Sequence, residues 1–133
     1  MELSDFEKMV LEALIEGDPE ENIIQQQLVD ASIIDRDYTG VGLYTNIKVS
    51  ENSPVLSKSN RYIEETPKTH LRHPELEAGA GVLPWFENGK ISTLECYTYE
   101  GEWPKNETLF TVKECADDIQ RVADVFRDRG SAN

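Results

Sequence analysis

Glu95 is the residue of this chain whose position best suits chemistry. It lies midway along a run rich in β-forming residues, Gly79–Tyr99, and a simple hairpin register places it opposite Val82. A carboxylate in the middle of a partly apolar strand loses hydration unless it is paired, and such groups concentrate at functional sites. The alternatives are a structural pair with a strand neighbour or with Arg36, and exposure on a solvated sheet face.

A hydrolase or ligand-binding site built on this run would use Glu95 as general base and Arg36 as an anion clamp, with Tyr97 and Asp35 beside them. These four residues are the candidate site. The acid pairs Asp35/Asp37 and Asp117/Asp118 are not accompanied by a nucleophile motif. Solvated surface is the simpler interpretation of those pairs.

Other ligand-binding patterns are weak. His70 and His73 could share a face only on a helix, and Pro74 argues against one. Since a structural metal needs about four spaced ligands, we predict a surface loop and no metal. The two glycines of Thr39–Gly42 lack the rest of a phosphate-loop pattern and precede a predicted strand rather than a helix, which favours a twisted strand entry, and no cofactor is expected. Two buried thiols, rather than a disulfide, are expected for Cys96 and Cys115.

The candidate site depends on a β-hairpin. Asn88-Gly89 suits a two-residue turn with positive φ at both positions. The resulting register pairs Glu87 with Lys90, Phe86 with Ile91, Trp85 with Ser92 and Leu83 with Leu94. One face would carry Leu83, Trp85, Leu94 and Cys96, and the other Val82, Phe86, Ile91 and Tyr97. Pro84 cannot donate to a strand ladder and requires a bulge or a side without a neighbouring strand.

Capping patterns predict two N-terminal helices. Ser4 and Glu7 form a capping box before an apolar stripe that ends near Gly17. Asp18 and Pro19 then suit the N-cap and first turn of a second helix. Apolar residues at helical spacing from Cys115 to Phe126, with a stop at Gly130, predict a C-terminal helix.

Further strands are indicated around the hairpin. Val41–Val49 alternates apolar and polar residues, and Thr108–Val112 is strand-like in composition, whereas residues 50–77 give no clear assignment.

We expect Arg36 to be partly buried and paired in bidentate fashion with Asp35, Asp37 or Glu95. The predicted fold is one α+β domain over residues 1–133, with two N-terminal helices and a C-terminal helix packed on an antiparallel sheet of four to five strands.

The strongest compositional signal is acidity. The 133 residues include 26 acids and 13 bases, a net charge of −13, and residues 1–37 alone hold 11 acids and 2 bases. Such a chain repels nucleic acid and anionic membranes and attracts basic partners, although acidity for solubility is an equally good explanation. No apolar run is long enough to cross a membrane, and the first residues do not match a signal peptide, so we expect a cytoplasmic protein.

Three runs resemble a family of small acidic bacterial proteins. They are Arg36–Gly42 (R-x-x-T-G-x-G), Gly79–Gly81, and Asn88–Tyr97, where Ile91 replaces the leucine of a G-x-L-x-x-L-E pattern. The resemblance covers about residues 1–104 and implies no activity or catalytic role. Separately, size and acidity are similar to those of immunity proteins, which neutralise basic toxin domains.

The sequence therefore predicts a non-enzymatic protein-binding module and favours an immunity-type inhibitor of a basic protein partner. The alternative is a small hydrolase or ligand-binding domain with its site on the 79–99 hairpin. Oligomeric state does not follow from the sequence.

Overall fold

In a computed structural model, residues 1–58 and 69–114 are described. They form two helices, α1 (Asp5–Ile15) and α2 (Glu21–Val29), and six strands. The strands are β1 (Ser32–Tyr38), β2 (Gly42–Lys48), β3 (Thr69–His73), β4 (Leu76–Glu87), β5 (Lys90–Thr98) and β6 (Thr111–Glu114). The α+β class is confirmed, with six strands rather than four to five. The predicted C-terminal helix lies outside the described residues.

The sheet is antiparallel throughout, in the order β1-β2-β5-β4-β3-β6. The long β4-β5 hairpin therefore lies at its centre, and β1 and β6 form its edges. Both helices contribute to a core on one face of the sheet, hereafter the covered face. Its buried apolar side chains include Val10, Leu11, Leu14, Ile24, Leu43, Ile47, Val82, Leu94 and Cys96.

The N-terminal helices follow their capping signals with one shift. The capping box of α1 is present, with Ser4 as N-cap and Glu7 as the reciprocal partner. α2 begins later than predicted, with Glu20 as its N-cap. The Asp18 carboxylate instead accepts a hydrogen bond from the Glu20 backbone N–H at 2.8 Å. The backbone carbonyl of Asp18 accepts another from the Glu21 N–H at 3.0 Å. Asp18 thus stabilises the turn that precedes the helix.

The hairpin turn is confirmed, but the register beyond it is not. Asn88 and Gly89 both have positive φ, and Phe86 pairs with Ile91. A bulge then shifts the ladder, so that Trp85 pairs with Thr93 and Leu83 pairs with Glu95. The predicted faces are therefore right for the residues of β4 and for Ile91, and wrong for Leu94, Cys96 and Tyr97 of β5. Leu83, Trp85, Thr93, Glu95 and Tyr97 share one face, whereas Val82, Pro84, Leu94 and Cys96 share the other.

Two segments that were not predicted as strands form strands in the structure. Ser32–Tyr38 is the edge strand β1, with a bulge between Ile33 and Asp35. His70 and His73, expected in a surface loop, lie in β3 and are both buried. Loop prediction failed here because Pro74 falls in the short connection between β3 and β4, where it interrupts no strand.

At the C-terminal side of the described chain, the predicted strand Thr108–Val112 begins later. A 3-10 turn covers Glu107–Leu109, and β6 runs from Thr111 to Glu114 beside β3. Within residues 1–58 and 69–114, neither helix is long and apolar enough to cross a membrane.

Candidate functional site

The face of the sheet opposite the covered face, here called the open face, brings Glu95 together with aromatic side chains. Tyr44 on β2 and Leu83 on β4 lie directly opposite Glu95 on β5. Trp85 is the next residue of β4 on the same face, and Tyr97 is the next of β5. We call these five residues the Glu95 cluster. β-pairing alone places them together, since residues two apart on a strand share a face.

Two donors orient the Glu95 carboxylate. The Trp85 indole Nε1–H donates to Oε1 at 2.9 Å, and the Tyr44 hydroxyl donates to Oε2 at 3.2 Å. Trp85 and Tyr44 remain 41% and 37% exposed, so this is an accessible arrangement rather than a core network. Each carboxylate oxygen receives one hydrogen bond from the cluster, and an ionised carboxylate can accept about four.

The phenols of the cluster stay neutral near pH 7. The negative charge of Glu95, its hydrogen bond, slight burial and the charge of Asp37 all raise the pKa of Tyr44. Burial, and then the charge of Glu95, raise the pKa of Tyr97. Neither tyrosine therefore adds negative charge to the cluster.

A glycine in the neighbouring strand makes room for Tyr97. A Cβ placed on Gly81 would lie 2.5 Å from the ring carbon Cζ of Tyr97 and 2.6 Å from its hydroxyl oxygen. The Tyr97 ring therefore lies across β4 at this point, and Tyr99 meets it edge-on with the ring centres 5.6 Å apart. This close approach explains why glycine suits position 81.

Polar side chains continue the open face toward the β1 edge. Asn46 donates to Asp35 at 2.7 Å and accepts from the Thr93 hydroxyl at 2.9 Å. Asp37 lies opposite Tyr44 in the β1-β2 ladder. The predicted site residues Asp35, Glu95 and Tyr97 thus lie on the same face, with β2 between Asp35 and the other two.

Arg36 lies on the covered face, away from Glu95. It pairs with Thr45 in the ladder and reaches Glu7 of α1, with Nε 2.9 Å from Oε2 and Nη2 2.7 Å from Oε1. The expected bidentate pairing with an acid is confirmed, but the proposed partners Asp35, Asp37 and Glu95 are wrong. Alternation along β1 turns Arg36 to the side opposite Asp35 and Asp37.

Glu7 is a buried structural carboxylate. It also accepts from the Ser4 N–H at 2.7 Å and from the Thr45 hydroxyl at 2.6 Å. Burial alone would raise its pKa, but the hydrogen bonds of Arg36, Ser4 and Thr45 and the charge of Arg36 together hold the pKa of Glu7 below its ordinary value. Glu7 therefore joins α1 to β1 and β2 as an anion.

His70, His73 and Cys96 are buried and have structural roles. His73 accepts from the Glu75 N–H at Nδ1 (3.1 Å), so its Nε2–H donates to the Asn106 carbonyl at 2.9 Å. His70 stacks on Tyr99 with ring centres 5.2 Å apart. Burial raises the pKa of the Cys96 thiol, and Cys115 lies outside the described residues. The described part of the chain holds no group of three or more potential metal-ligating side chains.

The sequence predicted Glu95 and Tyr97 as candidate site residues but did not predict the hydrogen bonds of Trp85 and Tyr44 to the Glu95 carboxylate. The position of Tyr44 on the open face could have been predicted, since Tyr44 lies on the polar side of an alternating strand. The position of Trp85 could not, because only the bulge at the hairpin brings Trp85 to the face of Glu95.

Comparison with known proteins yields no relatives. No family model matches the chain, and neither the curated proteins nor the solved structures contain a significant match.

Proposed function

We propose that this protein is a non-enzymatic binding module whose open face engages a basic protein, as an immunity protein engages a toxin domain. The observation that carries the proposal is the accessible Glu95 carboxylate, oriented by Trp85 and Tyr44. A preoriented anion between exposed aromatic rings suits the recognition of a cationic side chain.

The chemistry of the open face supports this choice. Tryptophan and tyrosine are enriched among the residues that dominate interface energetics. Asp35 and Asp37 are exposed beside the cluster and add negative charge on the same face. Together with the net charge of −13, they would speed encounter with a basic surface and reject acidic ones.

Hydrolysis receives less support. The hydrolase hypothesis offered Arg36 as an anion clamp beside Glu95, and Arg36 is engaged with Glu7 on the covered face.

The test compares two variants of equal charge. Asp35→Asn/Asp37→Asn/Glu95→Gln neutralises the open face, whereas Glu2→Gln/Glu12→Gln/Glu16→Gln neutralises three exposed acids of the N-terminal region. Each protein is immobilised and exposed to extract from the source cell, and basic proteins that bind are identified and then titrated in purified form.

We expect a basic protein that binds the parent and the N-terminal variant but binds the open-face variant at least tenfold more weakly, with association slowing as salt rises. A gene for that partner beside the gene for this protein would support the immunity version. Absence of any basic partner, or equal weakening by the two variants, would overturn the proposal.

A further inference from the structure

We infer that the Glu95 cluster anchors one arginine side chain of the partner, in preference to lysine. This inference rests on the proposed function and specifies the chemistry of its site. The cluster combines an oriented carboxylate, exposed aromatic surface on two flanking strands, and a wall formed by Tyr97.

The arrangement of hydrogen bonds favours a two-pronged donor. Trp85 occupies one acceptor position on Oε1 and Tyr44 occupies one on Oε2. Because the two intramolecular donors are divided between the oxygens, each oxygen retains acceptor capacity. A guanidinium group presents two parallel N–H donors that match both oxygens of a carboxylate, whereas an ammonium acts as a compact point charge.

The aromatic neighbours favour the same ligand. The planar guanidinium is weakly hydrated and stacks on aromatic rings, which an ammonium does less well. Trp85 and Tyr44 expose 41% and 37% of their surface beside the carboxylate. Their hydrogen bonds to Glu95 also hold all three side chains in place before binding, which lowers the entropy lost when a ligand is bound.

The chain contains a matched internal comparison. Trp103 also donates its indole N–H to a carboxylate, Oε2 of Glu107, at 2.8 Å. Its ring stacks on Phe110 at 4.8 Å between ring centres and meets Phe6 edge-on, so it packs against the core on the covered face. Trp85 and Trp103 therefore make the same bond in accessible and packed surroundings.

The experiment follows the two indole N–H resonances in ¹⁵N-labelled protein during titration with N-acetyl-arginine amide or N-acetyl-lysine amide. A Trp85→Phe variant assigns the signals. We expect arginine amide to shift the Trp85 resonance in a saturable manner, with an affinity at least about threefold higher than that of lysine amide, and to leave Trp103 unchanged. Glu95→Gln should weaken arginine binding about tenfold with an unchanged melting temperature.

Three results would overturn the inference: no saturable shift of Trp85, equal affinity for the two amides, or undiminished arginine binding by Glu95→Gln. The two proposals fail separately. If the purified partner discriminates the open-face variant while arginine amide leaves Trp85 unmoved, the binding function stands and the arginine anchor is wrong. If no basic partner is captured, the proposed binding function is wrong, whether or not arginine amide shifts the Trp85 resonance.

Discussion

Arg36 on β1 holds Glu7 on α1 through two parallel hydrogen bonds, Nε to Oε2 at 2.9 Å and Nη2 to Oε1 at 2.7 Å. Glu7 is fully buried, and the Arg36 side chain is 22% exposed. Thr45 of β2 bonds the same carboxylate. This buried anion connects the first helix to the edge of the sheet, and its removal has measurable consequences.

Arg36→Met should lower the free energy of unfolding by about 3–5 kcal/mol, because it leaves the Glu7 carboxylate buried without its cationic partner. Lys8→Met is the matched control, since it removes the same charge from an exposed position next to Glu7. That control should change stability by no more than about 0.5 kcal/mol. Urea denaturation of the three proteins provides the measurement, and equal costs for the two variants would contradict the structural role of the pair.

The Glu7 pair also predicts a pH dependence. The folded protein holds the pKa of Glu7 below the ordinary value of 4.5, so the unfolded chain binds the proton more readily. The stability contributed by this carboxylate is therefore present above pH 4.5 and is lost as pH falls through the lower folded pKa. The difference in unfolding free energy between the parent and Glu7→Gln should shrink between neutral pH and the acid range. A constant difference would show that Glu7 titrates normally.

Gln27 joins α2 to the central hairpin. Its Nε2 donates to the carbonyls of Pro54 and Gly89 at 2.8 and 2.9 Å, and its Oε1 accepts from the Ile91 N–H at 3.0 Å. Gln27→Glu would place a buried negative charge against two carbonyl oxygens and should cost at least about 3 kcal/mol at pH 7.

The exposed neighbour Gln26 provides the control for that substitution. Gln26→Glu should stay within about 0.5 kcal/mol of the parent in chemical denaturation. The cost of Gln27→Glu should fall as pH is lowered, because a protonated carboxyl again has a donor. If both variants are equally stable, the buried amide does not connect the helix to the hairpin.

Gly89 tests the hairpin turn. Its φ is +77°, and an added Cβ would lie 2.9 Å from Val55 Cβ and 3.2 Å from the Leu56 backbone nitrogen. Gly40 has a φ of +90° with no atom near its Cβ position. Gly40→Val should lower the free energy of unfolding only through the strain of positive φ. Gly89→Val adds a steric clash with residues 55–56 and should lower the free energy of unfolding by about 1–3 kcal/mol more. Thermal or urea unfolding would show the order, and a smaller cost at Gly89 would contradict the packing of the turn against residues 55–56.

Local sequence signals determined those elements whose structure depends on residues close together in the chain. Ser4 and Glu7 lie one helical turn apart, and Asn88-Gly89 supplies positive φ, so the α1 capping box and the hairpin turn could be predicted. The alternation in Val41–Val49 likewise placed Leu43 in the core and Tyr44 on the open face. In each case, the physical cause lies within a few residues.

Only the tertiary structure decided which distant residues meet. One bulge residue near the turn moves every later side chain of the hairpin to the other face, because the strand period is two. That shift places Trp85 beside Glu95 and removes Leu94 and Cys96 to the core. The partners predicted for Arg36 were the adjacent Asp35 and Asp37, or Glu95 across the sheet. Strand alternation and the packing of α1 over β1 and β2 selected Glu7 instead, 29 residues away along the chain.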